Sequence, residues 1–463
     1  MKRSDAFKVK TMQKKSISII GAGLVGSLLS IYLNKRGYHV SVFERRLDMR
    51  EKGYVGGRSI NLALSNRGIR ALNEVGLAEE LKKVAISMHG RTIHSIDGKL
   101  TYQPYGKEGQ FINSISRSNL NITLMNEAER LGVEFFFEHR CLSVDFVNTE
   151  LTFQRSTKNS QTTNNQSEII HLKSDIIIGS DGAFSAIRQA MQVSDRFDYS
   201  QEYIKHGYKE LHIPALDTGE FKLDKNSLHI WPRESFMMIA LPNPDGSFTC
   251  TLFFPFEGEL SFASLDTQTK VKTFFEETFP DATALMPDYL NDFYKNPAAS
   301  LVTTKCFPWV KNNTLLIGDA AHAIVPFYGQ GMNAGFEDGR ILNELLDQYQ
   351  DDWAKVLAAF QNTRKPDADA IAQLALDNFI EMRDLVADEK FLLRKKIEAK
   401  IHSLYPNKWI PLYTMVTFQD DLRYSEAYTI GQRQKQIMDR VMSDPDIDKN
   451  WEKLDLKVLV DKL

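Results

Sequence analysis

A chain of 463 residues is too long for one hydrophobic core, so two or three domains are expected. Its 43% hydrophobic and 25% charged residues read as soluble and globular, and a net charge of −3 implies no general affinity for nucleic acid or anionic membrane. The three cysteines, Cys141, Cys250 and Cys306, lie far apart with no C-x-x-C, which points to neither a disulfide framework nor a cysteine metal site and suits a reducing cytoplasm.

The N-terminal stretch MKRSDAFKVKTMQKK is basic but has no apolar core region. It is not a secretory signal and reads as a disordered tail ahead of the first strand. No apolar run reaches the roughly 18 residues that a membrane-crossing helix needs. The most apolar late segment, WIPLYTMVTF at 409–418, is too short to span.

Ser16 to Glu44 is the stretch the chain is organised around. A short β-branched strand (Ile17, Ile19, Ile20) runs into GAGLVG, with Gly21, Gly23 and Gly26 in the G-x-G-x-x-G pattern. A helix to about Gly37 and a second strand, HVSVFE, complete a β–α–β unit ending in Glu44. Each piece suits a dinucleotide. Gly21 makes the tight turn, Gly23 lets a pyrophosphate approach the backbone, and Gly26 lets the helix pack close to the strand. The helix N-terminus offers free N–H groups to the phosphates. Glu44 can accept hydrogen bonds from ribose hydroxyls.

Gly56 and Gly57 break the segment after Glu44, and Ser65 to Lys83 has helical periodicity through Ile69, Leu72, Val75 and Leu81. Arg45 and Arg46 could reach phosphate or ribose, or form a solvated charge cluster. Residues 88–106 read as two strands around the turn Asp97–Gly98 and carry Arg91, Tyr102 and Tyr105. A strand arginine is usually at the surface and a tyrosine at a core edge; nothing local decides between those readings and ligand contacts. Ser116 or Ser118 can cap a helix carrying Leu120, Leu124, Ala128 and Leu131. The strand VEFFF follows, then a hairpin around 143–172 whose polar tip, RSTKNSQTTNNQS, reads as a mobile loop.

A second motif, SDIIIGSDGAFSAIR at 174–188, runs a buried strand into Asp181–Gly182 and starts a helix near Ser185. Asp181 sits where the carboxyl end of a strand meets a bound dinucleotide. Residues 200–256 alternate as short antiparallel strands with turn chemistry at Asp245–Gly246, a sheet distinct from the nucleotide half. Its apolar side chains (Trp231, Phe236, Met237, Met238, Phe253, Phe254) suit a core better than a pocket wall. In the third motif, at 312–342, a strand from Thr314 to Ile317 ends at Gly318–Asp319. The loop Pro326 to Gly331 then leads into a helix starting near Met332, whose N-terminus can face an electron-rich group. Residues 343–463 are almost wholly helical by periodicity, with breaks at Pro366, Pro406 and Pro411. There is no internal repeat, no metal-ligand spacing and no G-x-S-x-G elbow.

One nucleotide fingerprint, the Asp181–Gly182 motif and the Gly318–Asp319 motif, in this order, resemble the FAD-dependent aromatic hydroxylases of the para-hydroxybenzoate hydroxylase type. There the DG segment serves both flavin and nicotinamide nucleotide, and the GD aspartate binds the ribityl side of the flavin. No second G-x-G-x-x-G occurs, which fits a family whose NADPH has no dinucleotide domain of its own. GRSINLALS at 57–65, FDYSQEYIKHGYKEL at 197–211, HIWPR at 229–233, GDAAHAIVPFYGQGMNAGFED at 318–338, DNFIEMR at 377–383 and IPLYTMVTF at 410–418 resemble the kynurenine 3-monooxygenase branch of that family.

The resemblance implies an α/β fold: a Rossmann-like FAD-binding domain at 14–85, 108–195 and 300–342, an inserted antiparallel β-sheet substrate domain at 86–107 and 196–299, and a C-terminal helical region at 343–463. It places Val25, Glu44, Arg46, Ala63, Arg117, Asp181, Asp319, Met332 and Asn333, with the fingerprint glycines, against FAD. It places the amino-acid end of L-kynurenine on Arg91, Tyr105, Asn378 and Tyr413, and a pocket loop at Pro326, Phe327 and Gln330. NADPH would reduce FAD, O₂ would add to give a flavin C4a-hydroperoxide, and its distal oxygen would attack the ring beside the amino group. Such a reaction needs no nucleophilic side chain, no metal and no nucleic acid. It needs an apolar, water-poor chamber, expected around Pro326, Phe327 and the strand at 251–256. Mitochondrial members continue into a hydrophobic anchor, whereas this chain ends after a polar helix, so the expected location is cytoplasmic, with no transmembrane anchor. Tyr328 is a loop position that varies within the family. Rival readings are a flavin hydroxylase or epoxidase of another aromatic or apolar substrate, and a flavin redox module without oxygenation.

Overall fold

In a computed structural model of the chain, residues 15–51, 61–107, 109–157, 166–385 and 388–463 are described. Residues 1–14 of the basic N-terminal stretch, the Gly56–Gly57 break and residues 158–165 of the polar tip lie outside the described residues.

The chain opens with β1 (Ser16–Ile20), α1 (Leu24–Lys35) and β2 (His39–Phe43), then β3 (Asn61–Leu64), α2 (Asn66–Val75) and α3 (Ala78–Lys82). Four strands follow: β4 (Ile86–Met88), β5 (Gly90–His94), β6 (Leu100–Pro104) and β7 (Ile112–Ser116). α4 (Arg117–Leu131) is capped by Ser116, whose side chain accepts from the Asn119 N–H. Next come β8 (Glu134–Phe136), β9 (His139–Asp145), β10 (Glu150–Thr157), β11 (Gln166–Lys173), β12 (Ile176–Gly179) and α5 (Ala186–Gln192).

β1, β2, β8, β12 and β19 (Thr314–Leu316) form the parallel part of a six-stranded sheet with order β18-β19-β12-β1-β2-β8, in which the antiparallel β18 (Val310–Lys311) closes one edge. Helices cover both faces, so Ile17, Ile19 and Ile20 are all buried and β1 reads as a continuous apolar run.

The second large sheet has seven strands, order β17-β13-β16-β15-β14-β5-β6. Its members are β13 (Asp198–Ile213), β14 (Ser227–Arg233), β15 (Phe236–Pro242), β16 (Phe248–Pro255) and β17 (Ala299–Phe307), with β5 and β6. Strand alternation divides its side chains between two faces. Trp231, Phe236, Met238 and Phe254 join the core under α6 (Gln268–Thr278), α7 (Pro280–Thr283) and α8 (Tyr289–Lys295). Met237 and Phe253 face the other way and line a cavity. The aromatic strands thus supply both core and wall.

Chain return to the parallel sheet comes later than the boundary at 300. β17 is the edge strand of the seven-stranded sheet, paired antiparallel with β13, and the crossing falls between Phe307 and Val310. The boundary at 86 shifts similarly, because β4 still pairs with β7 in a small sheet with β3.

The short α9 (Asp319–His322), a 3₁₀ turn at Pro326–Tyr328 and α10 (Gly331–Gln348) follow β19. α11 (Trp353–Ile380) then runs straight through Pro366, where a break is expected from sequence. A proline removes one helical N–H and crowds the carbonyl four residues back. Here Arg423 reaches over to donate to the neighbouring Thr363 carbonyl and to Asp367, so the disturbed turn keeps polar partners. A π-helical turn at Glu381–Leu385 leads to α12 (Glu389–Leu404), α13 (Leu412–Phe418), α14 (Tyr424–Met442), α15 (Ile447–Asn450) and α16 (Leu456–Val460). The break at Pro406 and Pro411 falls between α12 and α13.

Candidate active site

A cavity of about 1050 Å³ lies where the fingerprint loop, the seven-stranded sheet and α13 meet. Gly21, Gly23, Val25, Glu44, Arg45, Arg46, Ala63, Arg117, Asp181, Asp319 and Met332 are on its wall, with Arg91, Tyr105, Pro326, Phe327 and Tyr413. Gly26, Gln330, Asn333 and Asn378 are not.

The three glycines separate by geometry. Gly21 has φ +107°, and a Cβ there would stand 2.7 Å from the Ser180 carbonyl oxygen. A Cβ on Gly26 would stand 2.0 Å from the Gly21 carbonyl oxygen. Both positions need glycine for the fold itself. A Cβ on Gly23 meets no protein atom within 4 Å. The protein has no packing reason for glycine there, and the open face is on the cavity.

Glu44 follows β2 with both carboxylate oxygens facing backbone donors, Oε2 accepting from the Ala22 N–H at 3.1 Å and Oε1 from the Arg46 N–H at 3.0 Å. Asp181 follows β12. Its Oδ2 accepts from the Ala186 N–H at 2.6 Å, while its buried Oδ1 has no partner, and burial raises the carboxyl above its ordinary range. Asp319 starts the turn after Gly318, whose N–H donates to Asp338 Oδ2 at 3.0 Å. The N-terminus of α10 reaches the wall through Gly331 and Met332.

Asn333 and Gln330 stand behind that wall. The Asn333 amide donates to the Ala63 and Gly329 carbonyls, both at 2.8 Å, and its oxygen accepts from the Ser65 N–H at 3.0 Å. These bonds pin β3, the 326–331 loop and α10 together. Gln330 accepts from the Tyr424 hydroxyl at 2.8 Å.

At the far end, Arg91 on β5 lies over two parallel tyrosine rings. Its guanidinium carbon is 4.8 Å from the Tyr413 centroid and 5.4 Å from that of Tyr105. The Tyr105 and Tyr413 rings stack at 5.4 Å, and Tyr328 also stacks with Tyr413, at 5.5 Å. Arg91 Nε and the Tyr105 hydroxyl are buried without a hydrogen-bond partner. Burial also raises the Tyr105 phenol above its ordinary value, so it remains a donor at neutral pH. Glu381 on the π-helical turn adds a negative field at Arg91.

Asn378 on α11 stands apart from these three. Its amide donates to the Phe327 carbonyl at 2.7 Å and holds the loop from behind. The Phe327 ring is packed between Phe379, at 4.1 Å, and Phe253, at 4.9 Å.

The sequence left several wall residues without a role, Tyr208, Leu228, Ile239 and Met382, and placed Thr251 only within the chamber strand at 251–256. Strand alternation in β13 to β16 groups Tyr208, Leu228, Ile239 and Thr251 on one face of the seven-stranded sheet. Nothing in it says which face meets a cavity.

The FAD binding domain family matches residues 14–375. A kynurenine 3-monooxygenase from Flavobacterium psychrophilum is 52% identical over 443 residues, covering 95% of this chain and 97% of its relative. Similar proteins of that name from Dictyostelium discoideum (46% identical, 97% of each chain) and Anopheles gambiae (45%, covering 93% of this chain and 87% of that one) extend the match to eukaryotes. Among solved structures, a tetrameric 2-methyl-3-hydroxypyridine-5-carboxylic acid oxygenase is similar at TM-score 0.64 and 18% identity, over 89% of this chain and 98% of its own. Pseudomonas aeruginosa PqsL in complex with 2-aminobenzoylacetate is similar at TM-score 0.61 and 18% identity, over 80% and 99%. Those two share the fold. Identity of about half across nearly whole chains, together with the flavin-type wall, shows that this chain belongs to the kynurenine 3-monooxygenase family of FAD-dependent enzymes.

Proposed function

We propose that this protein hydroxylates L-kynurenine to 3-hydroxy-L-kynurenine, with NADPH and O₂ as co-substrates and FAD as the bound cofactor, as a step of tryptophan degradation toward NAD. One observation carries the substrate reading. In an otherwise apolar part of the cavity, Arg91 Nε and the Tyr105 hydroxyl are buried donors with no partner. A buried donor left unsatisfied costs about 1–3 kcal/mol, more when it is charged, so a charged group buried beside two tyrosines favours an anionic ligand end.

The residues present fit FAD. The open face at Gly23 admits a pyrophosphate, and the unpartnered Asp181 Oδ1 can accept a hydrogen bond from a ligand hydroxyl. Glu44 and Arg46 suit the ribose end and Asp319 the ribityl side. Ala63, Arg117, Met332 and the α10 N-terminus would border the ring system. When bound, FAD supplies the oxygen transfer, drawing its electrons from NADPH.

The protein's own residues then have three tasks. Arg91 offers a planar fork to the substrate carboxylate, and the Tyr105 and Tyr413 hydroxyls add neutral donors beside it. Phe327, Phe253, Met237 and Ile239 surround the ring with apolar surface and keep water away from the reacting carbon. Asn378 fixes the Phe327 carbonyl, so the loop that closes the chamber keeps its shape.

No helix among the described residues is long and apolar enough to cross a membrane. The three cysteines are unpaired and buried, which supports a cytoplasmic setting for this activity. The test is direct: purified yellow protein should oxidise NADPH faster with kynurenine and yield one 3-hydroxykynurenine per NADPH. A matching acceleration by an unrelated aromatic, with kynurenine inert, would move the assignment to another substrate.

A further inference from the structure

Four buried side-chain atoms without a hydrogen-bond partner lie on the cavity wall among the described residues: Arg91 Nε, the Tyr105 hydroxyl, Asp181 Oδ1 and Thr251 Oγ1. The first two serve the carboxylate end and the third serves the flavin. Thr251 has no assigned task. It is 1% exposed, in the middle of β16, and paired with Ile239 on β15. Phe253, two residues on, shares its face. Thr303, Thr304 and Thr314 also have orphaned hydroxyls, but they lie off the cavity.

We propose that Thr251 is a positioning and specificity residue for the aromatic end of the substrate, its hydroxyl oxygen accepting a hydrogen bond from the ring amino group. This rests on the kynurenine reading above. Three features support it. Thr251 lies in the apolar part of the chamber, beside Ile239 and Phe253, where a hydroxyl has no structural use. The aryl ring carries one donor, the amino group, and the side chains next to Thr251 on the wall, Ile239, Phe253 and Met237, offer that donor only hydrocarbon. Finally, the span is right in scale. The strand order β5-β14-β15-β16 puts three inter-strand spacings, about 14 Å, between the backbones carrying Arg91 and Thr251. The arginine side chain takes up part of that distance and an aryl amino acid the rest.

A molecule tied at both ends cannot rotate its ring edge freely. Arg91 fixes the carboxylate, and Thr251 fixes which edge of the ring points toward the flavin side. Since the carbon to be hydroxylated is next to the amino group, holding the amino group selects that carbon. The same bond discriminates against aryl amino acids without the amino group, because the Thr251 hydroxyl then stays buried and unpaired.

The experiment uses the FAD-loaded enzyme, Thr251→Val, Thr251→Ser, L-kynurenine and its desamino analogue. Thr251→Val keeps the shape and removes the hydroxyl. It should raise the KM for kynurenine about tenfold, the size expected for one hydrogen bond, and lower the 3-hydroxy product formed per NADPH. FAD content should not change. Thr251→Ser should recover both values. Binding of the desamino analogue should be weak in the wild type and unchanged in Thr251→Val.

Unchanged kynurenine kinetics in Thr251→Val would overturn the proposal and leave the hydroxyl with water only. Equal weakening of both ligands would overturn it too, assigning the hydroxyl to the ketone or to packing. If Thr251→Val does not fold, the wild type still decides: a desamino analogue binding as tightly as kynurenine overturns the proposal. A wild type that makes no hydroxylated kynurenine sinks the substrate reading itself, whereas a Thr251 failure alone leaves that reading standing.

Discussion

Gly23 and Arg91 are single positions whose surroundings make opposite demands. A Cβ at Gly23 touches no protein atom within 4 Å, so Gly23→Val should fold, lose FAD and melt where the FAD-stripped wild type melts. Absorbance at the flavin bands, read beside a thermal melt, checks both halves; retention of FAD would misplace the phosphate. Arg91 is held by two aromatic rings and lacks a partner at Nε. Removing one member of a buried ion pair costs about 3–5 kcal/mol, or roughly two to four decades of affinity. Arg91→Ala should therefore raise the kynurenine KM steeply, Arg91→Lys less, and neither should change FAD content. Decarboxylated kynurenine should lose little further in Arg91→Ala, and a cycle of kcat/KM over both enzymes and both substrates reads this out. Equal losses on the two substrates would make Arg91 a structural strand residue. The need for glycine at Gly21 and Gly26 was legible in the sequence because it follows from backbone geometry alone. The surroundings of Arg91 and Thr251 were not, since a strand position says which face a side chain takes and nothing about what lies opposite.

Among the elements, α10 and the β19 turn meet at Asp338. Its carboxylate accepts from the Gly318 N–H, from His322 at 2.6 Å and from Arg364 at 2.7 Å. Burial alone would raise this carboxyl, but His322 and Arg364 outweigh it and hold it below its ordinary range. A depressed native carboxylate stabilises the fold at pH values above its unfolded value of about 3.9, and that stability is lost as pH falls through the lower native value. Asp338→Asn should therefore be less stable than wild type at pH 7, by about 3–5 kcal/mol, with the gap narrowing below pH ~4 in denaturant titrations. A gap independent of pH would assign the loss to packing. The sequence located α10 because a glycine-rich loop and an apolar period define its start. It misplaced a break at Pro366, where the turn of α11 gains polar contacts from Arg423, 57 positions further along the chain.

On the scale of the whole molecule, Arg67 joins the flavin half to the C-terminal helices. From α2 it pairs with Glu337 at 2.6 Å on α10, and donates to the carbonyls of Val416, Gln419 and Leu422 at and after the end of α13. Its guanidinium also lies 4.0 Å from the Tyr424 ring. Since α13 carries Tyr413, Arg67→Met should raise the KM for kynurenine more than it lowers FAD retention. The reverse order, measured on one preparation, would confine Arg67 to the flavin half. Domain class was readable from the order of motifs, but the edges at 86 and 300 were not. A short strand carries no mark of which sheet it will join, and β4 and β17 chose by pairing partners distant in sequence.

Among the described residues the chain passes between its two large sheets, or the small sheet beside the first, at four places: Met88 to Gly90, Pro104 to Ile112, Gln192 to Asp198 and Phe307 to Val310. Two bodies joined by one linker can swing apart. Four short straps restrict such a swing far more than one, so ligand entry is expected to proceed by local displacement of the wall. The same stitching makes the particle tolerant of a nick: after one cut in the Pro104 to Ile112 connection, three straps still hold, and the two fragments should co-migrate until denaturant is added.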